Sequence, residues 1–257
     1  MNIGIYGLGR FGQFWGKVLA PLGYPILGYN RSDRSVIPDI TPVSLDQVAK
    51  VDTLFLCTAI SSIPDVCKEL APLVGPDTLV VDTCSVKLFP AQIMAETFHP
   101  DVPLLPIHPM FGPDSAKNRD LPLVICPDPR NHQKSQELSS FWSDAFTQLG
   151  MRVIPMTAQD HDMEAARTQG ITHVIGRILS DLHLKPSDIA TLGYTKLFEV
   201  MEQTCNDPWQ LFVDLQRYNP HTQHMRQDLE SSVKKLLGTL EQIIHGSPDA
   251  ENPSHSH

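Results

Sequence analysis

The sequence predicts an α/β fold: a doubly wound parallel sheet followed by a smaller all-helical domain. Three observations carry that expectation. A short apolar strand, Asn2-Ile-Gly-Ile-Tyr6, runs straight into Gly7, Gly9 and Gly12, which fit the pattern G-x-G-x-x-G, and Phe14, Val18, Leu19 and Leu22 then recur at helical spacings. Strand-like apolar runs alternate with helical stretches as far as Ile107. From Asp160 onward the texture changes to helical runs. The expected division is a nucleotide-binding domain over 1–156, a helical domain over 157–246 and a flexible tail over 247–257.

The glycine turn has a physical reading. Gly7 permits the tight turn, Gly9 lets a pyrophosphate approach the main chain, Gly12 lets the helix pack on the strand, and the helix N-terminus attracts phosphate charge. A glycine turn closing an edge strand would satisfy the same pattern. The strand before it and the helix after it favour a dinucleotide, with Arg10 and Phe11 beside the glycines, and hence a Rossmann-type domain. The second strand is read over Pro25–Asn30, and its end is where such a domain selects its cofactor. An acidic side chain about 20 residues past the glycines holds the ribose of NAD, whereas NADP needs room and cations for a phosphate. Asn30 occupies that place, and Arg31, Ser32 and Arg34 follow it. Two guanidinium groups and a hydroxyl favour NADP over NAD; the alternative is a solvated polar loop, for which Asp33 argues mildly.

Asp52–Cys57 reads as a third, buried strand, and the loop from Thr58 passes under the cofactor. Further strands are expected at 78–82 and 103–107, with helices over 63–73 and 89–97 between them. Ligands of such sheets collect at the carboxyl ends of the strands, which brings Ser85 and His108 to the rim that carries the glycine turn. His108 follows a strand directly, and Pro106, Pro109 and Pro113 restrict the backbone around it. An imidazole is suited to taking a hydroxyl proton near neutral pH, though a histidine at a strand end also serves as a simple hydrogen-bonded residue. The helical part is read as 162–182, 186–205, 208–218 and 222–245. Asp207-Pro208 has the form of an N-cap followed by proline at the first helical position.

Composition narrows the setting. With 257 residues, 41% hydrophobic and 19% charged, the chain is an ordinary globular one. Its formal charge of -9, without a basic cluster, argues against nucleic acid and anionic membranes as partners. Five scattered cysteines without C-x-x-C spacing indicate a reducing compartment, with Cys57 and Cys126 as core residues and Cys84 either packed or open to oxidation. A strand at the N-terminus and the absence of any membrane-length apolar run lead to the expectation of a cytoplasmic enzyme. No metal site is expected.

Four motifs in order resemble one family. The glycine turn continuing as Phe11-Gly-Gln-Phe14, Asp82-Thr-Cys-Ser-Val-Lys87, His108-Pro-Met-Phe-Gly-Pro113 with Ser115 and Lys117, and Thr168-Gln-Gly-Ile-Thr-His-Val-Ile-Gly-Arg177 are similar to the prephenate/arogenate dehydrogenases of tyrosine biosynthesis, most closely the plant-type arogenate branch. Gly193-Tyr194 and Tyr218-Asn-Pro220 extend the resemblance through the helical part. It implies an oxidative decarboxylation: hydride leaves the ring carbon that bears the hydroxyl, and loss of carbon dioxide from the opposite carbon makes the ring aromatic. On the family pattern His108 takes the hydroxyl proton, and Ser85 hydrogen-bonds that hydroxyl or the histidine. Lys87, Gln169, Thr172, His173 and Arg177 fall to the substrate side. Lys87 reads equally as a supporting residue, His173 as a satisfied interface histidine, and Arg177 as one half of an interdomain salt bridge.

Asp207 stands where arogenate-specific members are expected to present an acid to the substrate's ammonium, with the N-cap role as its alternative. The arginine that the bacterial prephenate-type branch carries on the helix near Gly193 has no match here, where Glu199 stands. The resemblance implies a homodimer formed through the helical domain, whose apolar faces exceed what it can bury alone. Prephenate is the alternative substrate. An imine or hydroxyacid reductase and a silent NADPH-sensing regulator are more distant readings.

Overall fold

The computed structural model describes residues 1–32, 37–114 and 121–245. Arg34, Ser115, Lys117 and the tail from 246 lie outside the described residues. Eight strands form one sheet: β1 (Ile3–Tyr6), β2 (Ile26–Tyr29), β3 (Thr41–Pro42), β4 (Thr53–Leu56), β5 (Leu79–Asp82), β6 (Leu104–Pro109), β7 (Leu121–Ile125) and β8 (Met151–Pro155). Their order is β3-β2-β1-β4-β5-β6-β7-β8. All pairs are parallel except β6 with β7, where His108 lies opposite Val124.

The central strands have no polar face because helices cover both sides: every residue of β1, β4 and β5 is buried. One face packs on α1 (Arg10–Leu19) and α5 (Gln133–Gln148) through Trp15, Trp142 and Phe146. The other packs on α2 (Leu45–Val48), α3 (Ile63–Leu70) and α4 (Leu88–Thr97) through Val48, Val66, Leu70 and Met94. Ser44 and Gln47 close α2 with a reciprocal capping box. The N-terminus of α1, by contrast, begins at Gly9 with no side-chain cap, so its N–H groups stay open to a ligand.

After β8, α6 (Ala158–Ala165) passes through one π-turn (Ala166–Gly170) into α7 (Ile171–Asp181), giving one interrupted helix. Then come α8 (Leu192–Cys205), α9 (Trp209–Tyr218) and α10 (Thr222–His245). Among the described residues, no helix is long and apolar enough to cross a membrane.

The structure departs from the sequence reading in several places. The helix expected from Pro186 begins at Leu192, where Thr191 accepts the N–H of Tyr194; the stretch before it contains His183 with a positive φ of 54°. The helix expected from Asp162 begins at Ala158, capped by Thr157. Strands β3, β7 and β8 and helix α5 went unread. Pro122 interrupts the strand pattern of β7, and α5 buries only Ser135, Trp142, Ala145 and Phe146, too few to show as a stripe.

Candidate active site

The glycine turn is built by close approach. Gly7 has φ of 99°, and a Cβ on it would sit 2.5 Å from the carbonyl oxygen of Cys57. A Cβ on Gly12 would sit 1.9 Å from the oxygen of Gly7. A Cβ on Gly9 would meet nothing within 4 Å, so the main chain there faces open space at the uncapped end of α1. That cradle fits a dinucleotide's pyrophosphate. Phe11 stacks on Trp15 at 5.9 Å between ring centroids, fixing the first turn of α1. Arg10 reaches outward, donating to both carboxylate oxygens of Asp114 at 2.6 Å and to the carbonyl of Asn206 at 3.3 Å, and so spans from the glycine turn to the end of α8.

A hollow of about 210 Å³ at the end of β2 is lined by Tyr6, Gly7, Asn30, Arg31, Ser32 and Thr58. Asn30 accepts the N–H of Leu8 at 3.1 Å and donates to the carbonyl and hydroxyl of Ser32 at 2.8 and 2.9 Å. Its amide thus ties the glycine turn to the loop after β2, and among the described residues no carboxylate lines the hollow.

The main cleft, of about 450 Å³, runs from Gly9 and Phe11 past Thr58 and Ser85 to Gln169, Thr172, His173 and Asp207. The π-turn lies in the helix that supplies Gln169, Thr172 and His173, and such a turn shifts the phase of the side chains on either side of it. Among the described residues, three buried polar atoms of the cleft have no protein partner: Thr58 Oγ1, Gln169 Oε1 and His173 Nδ1. Unpaired groups of this kind are the polar contacts a ligand completes. Burial, and secondarily the Arg177 charge, lowers the His173 pKa to about 4, so this imidazole is neutral at pH 7. The Asp207 carboxylate stands 3.9 Å from His173 Nε2. Burial raises its pKa, opposed by Arg10. Asp207 does not cap α9: the N-cap is Pro208, and no side chain caps the helix. The acid is therefore left to the cleft.

His108 is not on the cleft surface; Pro109, Met110 and Ser85 form the wall there, and His108 is buried at 2% exposure. No hydrogen bond joins it to Ser85. Its Nδ1 lies 2.8 Å from Nε2 of His161, whose own Nδ1 lies 2.8 Å from Oδ1 of Asp162. Burial, then the neighbouring His161 and Lys87, holds the His108 pKa well below 6.5.

Two expected substrate contacts are corrected. Lys87 is fully buried, and its ammonium pairs with Asp82 and donates to the carbonyl of Ile107 at 2.6 Å, so it braces the floor of the site and does not reach the cleft. Arg177 donates to the carbonyls of Thr204 and Asp207 at 3.1 and 2.8 Å and lies over the Trp209 ring. It holds the end of α8 in place of a substrate carboxylate, and among the described residues it makes no salt bridge. Cys84 lines the cleft, yet burial and Asp82 push its thiol well above the usual range, which leaves it protonated and unreactive.

Residues 30–151 match the model of the family described as "Prephenate dehydrogenase, nucleotide-binding domain", and residues 178–252 match "TYRAAT1-like, C-terminal domain". Two Arabidopsis thaliana proteins are each 33% identical to the chain. Arogenate dehydrogenase 1, chloroplastic, aligns with 98% of this chain and 41% of its own length. Arogenate dehydrogenase 2, chloroplastic, aligns with 94% of this chain and 72% of its own length. The chain belongs to the prephenate/arogenate dehydrogenase family.

It spans less than half the length of the first of these family members. Among solved structures, the prephenate dehydrogenase from A. aeolicus in complex with hydroxyphenyl propionate and NAD+ superposes with a TM-score of 0.74 at 17% identity, over 95% of this chain and 91% of that one. Synechocystis arogenate dehydrogenase gives 0.68 at 20% identity, over 95% and 92%. At those identities the likeness is one of fold, and the nucleotide-binding sheet with its helical partner is the family's. Two buried residues of the site, His161 and Asp162, escaped the sequence reading. Their only signal is an adjacent His-Asp pair a few residues ahead of the Thr168–Arg177 motif, and an exposed helix start has the same composition.

Proposed function

We infer that the protein is an NADP-dependent arogenate dehydrogenase, which releases carbon dioxide and yields tyrosine. The observation that carries this reading is the Asp207 carboxylate, free of any capping duty, on the helical wall of a cleft that begins at the glycine cradle. A carboxylate there attracts the ammonium of arogenate and disfavours the keto acid side chain of prephenate. Prephenate is the second reading, because the rest of the cleft recognises features that both substrates share.

The nicotinamide cofactor, when bound, supplies the hydride acceptor. Gly7, Gly9 and Gly12 would hold its pyrophosphate, and Asn30, Arg31 and Ser32 its adenosine ribose; an amide at position 30 in place of a carboxylate and the Arg31 charge favour a 2′-phosphate. Arg34 would add a second cation. Gln169, Thr172 and His173 present polar groups to the substrate, and Thr58 falls to the cofactor. Ser85 orients the ring hydroxyl, and the buried imidazole of His108, neutral at pH 7, takes its proton. Metal is not required, since a neutral imidazole supplies the base.

The division at residues 156 and 157 and a homodimer formed through the helical part belong to the same reading, as does a reducing, cytoplasmic setting for five free cysteines. The test is reduced-nucleotide formation by the purified chain with arogenate, with prephenate and with neither, using NADP and NAD in turn. Turnover is expected with arogenate and NADP, at the highest kcat/KM of the set. Turnover with prephenate alone would overturn the substrate assignment, and a higher kcat/KM with NAD would overturn the cofactor preference.

A further inference from the structure

We propose that His161 and Asp162 act on His108 as a buried proton relay that sets its tautomer and stores the substrate's hydroxyl proton during hydride transfer. The proposal rests on the dehydrogenase reading above. It starts from three side chains in a row, exposed by 2%, 2% and 0%. His108 Nδ1 and His161 Nε2 are 2.8 Å apart, and His161 Nδ1 and Asp162 Oδ1 are 2.8 Å apart.

Hydrogen-bond roles follow from the far end. Asp162 accepts the backbone N–H of Lys87 on Oδ1 at 2.7 Å and that of Leu88 on Oδ2 at 3.0 Å. With two backbone N–H groups already donating to it, Asp162 serves the pair as the acceptor, and His161 Nδ1 carries the hydrogen that faces it. A neutral His161 then offers a lone pair at Nε2, which accepts Nδ1–H of His108. His108 is left with its lone pair on Nε2, the form a general base needs.

The same chain accommodates the proton once it has moved. The substrate hydroxyl would lose its proton to His108 Nε2 while a bound nicotinamide cofactor would supply the hydride acceptor. Nδ1–H of His108 passes to Nε2 of His161, leaving a neutral His108 and an imidazolium paired with the Asp162 carboxylate. Carbon dioxide departs and its bonding pair enters the ring, giving a phenolate. The phenolate oxygen then takes the proton back along the same path, so the reaction releases no net proton from this group.

The surroundings favour that direction. Among the described residues, the charged and titratable groups that act on His108 are His161 and Lys87; Asp162 contacts His161, and Asp82 pairs with Lys87. The Lys87 ammonium opposes a cation on His108, whereas His161 has a carboxylate in contact. Asp162 also holds the main chain of Lys87, two residues past Ser85, so one carboxylate positions both the relay and the turn that carries the serine.

The tautomer is read by ¹⁵N–¹H correlation of the imidazoles in the wild-type protein, assigned with His108→Asn and His161→Gln. The expected result is His108 protonated at Nδ1 and bare at Nε2. Protonation at Nε2 would overturn the proposal, and neither result depends on the substrate being known. Kinetically, His161→Gln keeps an acceptor for His108 but cannot take a proton. It is expected to lower kcat about 10–100-fold, in the range of losses from outer partners of an active group, with nucleotide affinity and substrate KM little changed. His161→Phe, which lacks the acceptor, is expected to fall further and to lose the Nδ1–H signal of His108. Wild-type kcat in His161→Gln would overturn the relay. If the wild-type protein turns over neither arogenate nor prephenate, the functional reading fails, while the tautomer measurement still decides the hydrogen-bond chain.

Discussion

At the scale of the residue, charge and burial decide roles that residue type alone leaves open. Lys87 and Arg177 carry the charge expected of substrate grips, yet each bonds within the protein, Lys87 to Asp82 and Ile107 and Arg177 to the carbonyls of Thr204 and Asp207. Sequence cannot distinguish a cation that meets a ligand from one that meets a carbonyl. Ser85, Gln169, Thr172, His173 and Asp207 were legible because motif and strand-end position put them on one rim, and the cleft does bring them together. His161 and Asp162 were not, because their meaning lies in a contact across 53 positions. Asp207→Asn is expected to lower the ratio of kcat/KM for arogenate over prephenate about tenfold, corresponding to roughly 1.4 kcal/mol. An unchanged ratio would place the selector elsewhere.

Burial also ties stability to pH. The His173 pKa falls from 6.5 to about 4 on folding, so below its unfolded value the unfolded chain binds a proton that the folded chain refuses. Its contribution is complete above about pH 6.5 and is lost as pH falls toward 4, amounting to roughly 2 kcal/mol by about pH 5. His108 shifts in the same direction. Urea denaturation should therefore show stability dropping over that window, and His173→Gln should flatten the drop.

At the scale of the element, the strands buried on both faces were legible because they are continuous apolar runs, and the later helices because their caps and prolines punctuate them. Elements at the sheet edge were not. In β8 only Met151 is buried, and β7 carries a proline, so neither shows the pattern of a core strand. The crossing of α7 and α8 depends on a single small residue: a Cβ on Gly176 would lie 1.9 Å from Thr204 Oγ1 and 3.0 Å from its Cβ. Gly176→Ala should push α8 away and cost about 1–3 kcal/mol, read as a lower denaturation midpoint. Because Thr204 and Asp207 also receive Arg177, that variant should weaken substrate binding as well.

At the scale of the whole molecule, the sheet buries its apolar residues and the helical part does not. Leu192, Leu236, Ile243 and Ile244 are exposed, Ile244 at 69%, and α10 buries only Thr222 and Met225 along its 24 residues. Faces of that kind mark an association surface. Sedimentation should give twice the 28.6 kDa chain mass, and Leu240→Glu with Ile244→Glu should return it to one chain. A wild-type monomer would contradict the dimer.

In the proposed reaction the buried His108 imidazole is the base. The most direct test is kcat of His108→Asn with arogenate, alongside its nucleotide affinity. The account predicts unchanged affinity and a loss of turnover of about 10²–10⁴-fold. Turnover close to that of the wild-type protein would contradict it.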